Sequence, residues 1–187
     1  MIDKSLRNRP CYDKEGNEIG WLSRSIASVI AVFAKNKNGE WCILASERGE
    51  EAADFQGCWN MPCGYLDYNE TTKDAAIREC FEETGVKLDE KDVRFFWYQD
   101  DPEKSNRQNV TFRFYAILNK KCEEISFSRE NNEGKEVGEI KFVNLKEIDD
   151  YKWAFGHETL IKEVADKTVK MPFWKKICSF KEYLLSV

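Results

Sequence analysis

Apolar and polar positions alternate between two periods along this chain, and the switches mark its elements. Residues 26–33 (Ile-Ala-Ser-Val-Ile-Ala-Val-Phe) form a nearly continuous apolar, β-branched run. Such a run predicts a strand covered on both faces. Asn38-Gly39 is a strong hairpin signal, and residues 41–45 read as the return strand. Residues 93–98 predict another strand. In residues 109–118, Val110, Phe112, Phe114, Ala116 and Leu118 alternate with Thr111, Arg113 and Tyr115, which predicts a strand with two unequal faces. Residues 122–128 and 139–143 read as shorter strands, and 146–150 as a helical turn.

Helical spacing appears in residues 72–84 and 155–166, and again at Phe173, Ile177, Phe180 and Leu184, a stripe that predicts a C-terminal amphipathic helix over residues 173–185. That stripe packs either on its own domain or against a second subunit in a homodimer. Residues 47–56 are charged and are expected to be mobile, and residues 1–24 read as a polar N-terminal extension or lead-in strand. No linker, repeat or low-complexity segment divides the remainder. The pattern predicts a single α/β domain over residues 25–187, with a mixed sheet between helical layers.

Charge narrows the partners. The net charge of −5, from 29 basic and 34 acidic residues, provides no basic field for nucleic acid. No apolar run approaches a bilayer span, and the polar opening Met1-Ile2-Asp3-Lys4-Ser5 lacks a signal-peptide core, so a cytoplasmic location is expected. Seven scattered cysteines without a CxxC pair point to reduced, mostly buried thiols rather than a disulfide framework or zinc ribbon.

The candidate chemistry lies in residues 64–86. At about 100° per residue, a helix over 72–84 places Glu79, Glu82 and Glu83 on one side and Ile77, Cys80, Phe81 and Thr84 on the other. Three carboxylates on one face repel one another, and a hard divalent cation such as Mg²⁺ relieves this with oxygen ligands. A solvated acidic face is the commoner fate of such a helix. Against that reading stand Glu70 just ahead of the helix with Asn69 as its expected cap, Arg78 beside the acids, and Gly85 at the end.

The stretch resembles the signature of the Nudix hydrolases: Gly64, Glu70, Arg78, Glu79, apolar Cys80, Glu82, Glu83, Gly85 and Val86 fill nine of twenty-three positions in register. Cys80 stands where an aliphatic residue is usual, and Cys63 where glycine is frequent. The preceding Gly57-Cys58-Trp59-Asn60-Met61-Pro62 is similar to the family's approach to this signature. The resemblance implies an α/β/α sandwich with a mixed sheet. It also implies Mg²⁺- or Mn²⁺-dependent hydrolysis of a nucleoside diphosphate linked to another moiety. Glu79, Glu82 and Glu83 would then be metal ligands, joined by the backbone carbonyl of Cys63. Glu70 and Arg78 would position them, and Gly64 would shape the loop.

For a further carboxylate acting as general base, Glu136 is the first candidate and Glu139 the second. Pro102, sixteen residues past Val86, resembles a marker of the ADP-ribose pyrophosphatase subgroup. Arg24 and Arg48 are either phosphate contacts or surface charges. His157, the only histidine, reads as a helix-start residue rather than a base, since an activated water needs no imidazole. Two other readings remain: a non-catalytic nucleotide sensor, and a hydrolase of oxidised nucleoside triphosphates or capped RNA.

Overall fold

The computed structural model describes residues 8–104, 109–128 and 136–170. Strands β1 (Arg9–Tyr12) and β2 (Glu18–Leu22) pair antiparallel in a small sheet of their own. The described part of the N-terminal extension is thus a hairpin, closed where the Asp13 carboxylate accepts from the Asn17 backbone N–H (2.8 Å) and side-chain amide (2.9 Å).

The main sheet has seven strands: β3 (Ile26–Lys35), β4 (Trp41–Arg48), β5 (Trp59–Asn60), β6 (Cys63–Tyr65), β7 (Arg94–Gln99), β8 (Val110–Lys121) and β9 (Val137–Asn144). The path β5-β4-β3-β8-β7 forms its spine, with β6 joined to β3 and β9 to β4. β3 and β8 run parallel and the other pairs antiparallel, so the sheet is mixed.

The apolar run of β3 has the predicted cause. Val29, Ala31 and Phe33 pack towards helix α2 (His157–Thr168), in a cluster with Ile161 and Val164. Ile30 and Val32 pack towards helix α1 (Thr72–Thr84), with Ala76 and Cys80. Both faces are therefore dry. The result is an α/β/α arrangement.

Two expectations need correction. Residues 122–128 form no strand; a 3₁₀ turn spans Cys122–Glu124, held where Glu124 accepts from Lys121 N (3.0 Å) and Glu123 accepts from Lys37 N (3.1 Å). Local carboxylates take the backbone donors that a ladder would have needed. Residues 47–56 are pinned rather than loose: β4 runs on through Arg48, Ala52 is buried, and Gln56 Nε2 donates to the Ala52 carbonyl (2.9 Å). The short strands β5 and β6 carry too few residues to show a period. The 173–185 stripe lies outside the described residues.

One edge of β3 positions the site. Its first half pairs with β6 (Val29 opposite Cys63) and its second half with β4 (Phe33 opposite Ile43). β4 and β6 must therefore diverge, and the segment between β5 and β6 crosses the resulting fork, where Ile30 N donates to the Pro62 carbonyl (3.0 Å).

Candidate active site

Helix α1 is set by its caps. Thr71 is the N-cap, not Asn69: its hydroxyl accepts from Asp74 N (3.2 Å) while the Asp74 carboxylate accepts from Thr71 N (3.1 Å), a reciprocal capping box. Asn69 instead takes a left-handed turn (φ 66°) that brings Glu70 back under the helix. Gly85 ends it in the expected left-handed geometry (φ 74°), and a β-carbon there would meet Ser128 N at 2.5 Å. The buried face runs through Ala75, Ala76, Cys80 and Thr84, while Ile77 and Phe81 are only half-buried. The small alanines let the helix lie close on β3.

That close approach carries the acids into the fork. The Glu83 side chain is enclosed: its Oε1 accepts from Cys63 N (3.2 Å), and its Oε2 accepts from the Ser46 hydroxyl (3.0 Å) and more distantly from Asn60 Nδ2 (3.4 Å). Burial pushes its carboxyl up to about 8. Glu79 packs on Gly64, and burial raises it too. Glu82 is the most exposed of the three, with 41% of its side chain open.

Arg78 organises the outer half. Its Nη1 donates to Glu79 (2.8 Å) and Glu82 (2.9 Å), its Nη2 to Glu70 (2.8 Å) and the Tyr65 carbonyl (3.0 Å), and its Nε to Glu70 (3.1 Å). A planar guanidinium can serve this many acceptors at once; an ammonium cannot. Glu70 also accepts from Asp67 N (2.7 Å), so it ties Arg78 to the loop before the helix. These contacts hold Glu70 below the usual carboxylate range, the Arg78 bonds most of all.

Glu70, Arg78, Glu79, Glu82 and Glu83 are thus brought together around Cys63 and Gly64. Among the described residues no three acid, histidine or cysteine side chains already converge on one point, and Arg78 Nη1 stands between Glu79 and Glu82. The chemistry of the donor set nevertheless fits a hard divalent cation. It is all oxygen, and two carboxyls are buried where only a proton or a cation offsets their charge. The thiol of Cys63 is driven upward by burial, so this residue offers its backbone rather than a thiolate.

The remaining candidates stand outside the Arg78 network. Glu136 and Glu139 are both exposed; the Glu136 carbonyl accepts from Gly49 N (2.7 Å), setting this segment against the end of β4, and Glu139 lies 3.6 Å from Lys141. Arg24 donates to the carbonyls of Asp100 (2.8 Å) and Asn109 (2.9 Å). Arg48 bonds the Asp54 carbonyl (2.8 Å) and carboxylate (3.0 Å). Pro102 is an exposed turn residue. His157 opens α2 with its ring buried, and Nδ1 accepts from Met61 N (3.0 Å). Burial lowers it to about 3, so it is neutral and holds the fork together. Two residues that sequence reasoning passed over, Ser46 and Asn60, hold Glu83. Asn60 lies in the run flagged before Gly64; Ser46 gave no signal.

Comparisons with known proteins agree with this geometry. The model of the NUDIX domain matches residues 24–164. The ADP-ribose pyrophosphatase of Methanocaldococcus jannaschii is 30% identical over 109 residues, 58% of this chain and 58% of that protein. The RNA pyrophosphohydrolase of Erythrobacter litoralis is 43% identical over 56 residues, 30% of this chain and 33% of that one. The matches span little more than half of these relatives at most. Among solved structures, the NUDIX domain of Shewanella oneidensis NrtR, complexed with ADP ribose, superposes with a TM-score of 0.66 at 17% identity, over 78% of this chain and 89% of that one. At that identity the likeness concerns the fold.

Proposed function

Because the chain belongs to the NUDIX family, we propose that it is a metal-dependent pyrophosphohydrolase cleaving a nucleoside diphosphate linked to another moiety, with ADP-ribose-like compounds as first substrates. The observation that carries this reading is the enclosure of Glu83 and Glu79 against Cys63 and Gly64, with Arg78 spanning Glu70, Glu79 and Glu82. Glu79, Glu82, Glu83 and the Cys63 carbonyl would hold Mg²⁺ or Mn²⁺, which would supply charge neutralisation for the diphosphate and a more acidic water for attack on phosphorus. Arg78 orients the carboxylates and is itself fixed by Glu70. Ser46 and Asn60 donate to one oxygen of Glu83 and orient its carboxylate. Glu136, on the segment bonded to Gly49, is assigned as proton acceptor.

The sequence similarity to the archaeal ADP-ribose pyrophosphatase supports the choice of substrate class. A cytoplasmic setting fits the free thiols of the described cysteines. The test is a panel of ADP-ribose, other nucleoside diphosphate conjugates, oxidised nucleoside triphosphates and capped RNA, assayed with Mg²⁺ for wild type and Glu82→Gln. Turnover of a diphosphate conjugate, lost in the variant, is expected. Equal rates for both proteins would reject the reading; binding without turnover would make the protein a sensor.

A further inference from the structure

Three non-glycine residues among those described have positive φ: Phe55 (52°), Asn69 (66°) and Phe155 (57°). Asn69 serves the loop before α1. The other two are bulky aromatic residues, for which left-handed backbone is a true outlier and a mark of local strain. They come from separate loops and meet: their ring centroids are 4.9 Å apart, edge to face. Ordinary surface packing does not explain this, because the pairing still leaves Phe55 46% and Phe155 36% exposed.

The pair is anchored to the fork. Arg48 lies over the Phe155 ring at 5.0 Å, and the His157 ring stands 5.6 Å away. Arg48 is two residues from Ser46, which donates to Glu83. His157 accepts from Met61 N, two residues from Cys63, which also donates to Glu83. Both supports of the aromatic pair therefore belong to segments that hold the buried carboxylate. Asp54, next to Phe55, binds the Arg48 guanidinium and fixes the loop against the same strand.

We propose that Phe55, braced by Phe155, is a stacking platform for the nucleobase of the substrate, placing its diphosphate towards Glu79, Glu82 and Glu83. An exposed aromatic face takes any base without reading its edge. The predicted preference is accordingly for a base-bearing diphosphate over one lacking a base, with weak discrimination among bases. This rests on the hydrolase reading only for the identity of the ligand.

The experiment uses the full chain. Binding of AMP and of ribose 5-phosphate, each with Mg²⁺, is measured by calorimetry for wild type, Phe55→Gly and Phe55→Tyr, beside KM and kcat for ADP-ribose. Phe55→Gly removes the ring and relieves the backbone, so the fold should not weaken. It should lose about tenfold in AMP affinity and gain about tenfold in KM, the scale of one lost base stack. Its kcat and its ribose 5-phosphate affinity should stay within about twofold, and Phe55→Tyr should behave as wild type. AMP affinity unchanged in Phe55→Gly, or no AMP binding by wild type, would overturn the proposal. A wild type that binds AMP through Phe55 but hydrolyses nothing would uphold it while rejecting the hydrolase.

Discussion

The Gly64 backbone lies so close to Glu79 that a β-carbon added there would stand 1.9 Å from Glu79 Oε1. The obstacle is the tip of a side chain, so the fold can yield while the carboxylate cannot keep its place. Gly64→Ala is expected to change the thermal midpoint little and to cut Mg²⁺-dependent kcat/KM by about a hundredfold, comparable to losing one positioned group of an active site. Unfolding by Gly64→Ala, or full activity with a normal midpoint, would contradict this.

Arg78→Lys retains the charge but not the fork, and one ammonium cannot span Glu70, Glu79 and Glu82 together. By the usual cost of losing a group that orients metal ligands, the variant should need about 10–100-fold more Mg²⁺ for half-maximal activity. A magnesium titration of rate decides the point, and an unchanged midpoint would remove Arg78 from its positioning role.

The buried ring of His157 makes stability depend on pH. Folded, the ring stays neutral down to about 3; unfolded, it protonates near 6.5. Between these values the unfolded chain binds the extra proton at this site, so the contribution of His157 is complete above about pH 6.5 and falls as pH drops through the window. The slope from this one site approaches about 1.4 kcal/mol per pH unit. The gap between wild type and His157→Asn, which can still accept from Met61 N, should be widest at pH 7.5 and narrow towards pH 4.5 in urea midpoints, because the raised Glu83 carboxyl, which acts in the opposite direction, is common to both proteins. Parallel curves for the two proteins would reject the assignment.

Arg113 presents the opposite case. Its Nε is buried without a hydrogen-bond partner, and Glu163 approaches only to 3.9 Å. A half-buried charge so poorly compensated contributes little to stability. Arg113→Met is expected to leave the urea midpoint unchanged or raise it, by up to about 1 kcal/mol. A clear loss of stability would show that the Glu163 pair is stronger than its distance implies.

Much of this molecule was legible in residue order. The double-sided burial of β3 followed from an unbroken β-branched run, and the span of α1 from the spacing of its acids and from Gly85. Both are local properties, written within a dozen residues. The helix cap was misplaced by two residues because Asn69 and Thr71 are both good caps, and only the reciprocal bond to Asp74 distinguishes them.

By itself the sequence determined which helix carries the carboxylates and which residues stand ready to order them, since period and spacing suffice for that. Tertiary structure decided how the acids differ. Glu83 is enclosed and Glu82 open because β4 and β6 share one edge of β3 and diverge, and that fork joins residues 46, 60, 63 and 83. It also brought Phe55 to Phe155 across a hundred residues of chain. Burial and long-range contact are properties of the assembled sheet, and no window of sequence contains them.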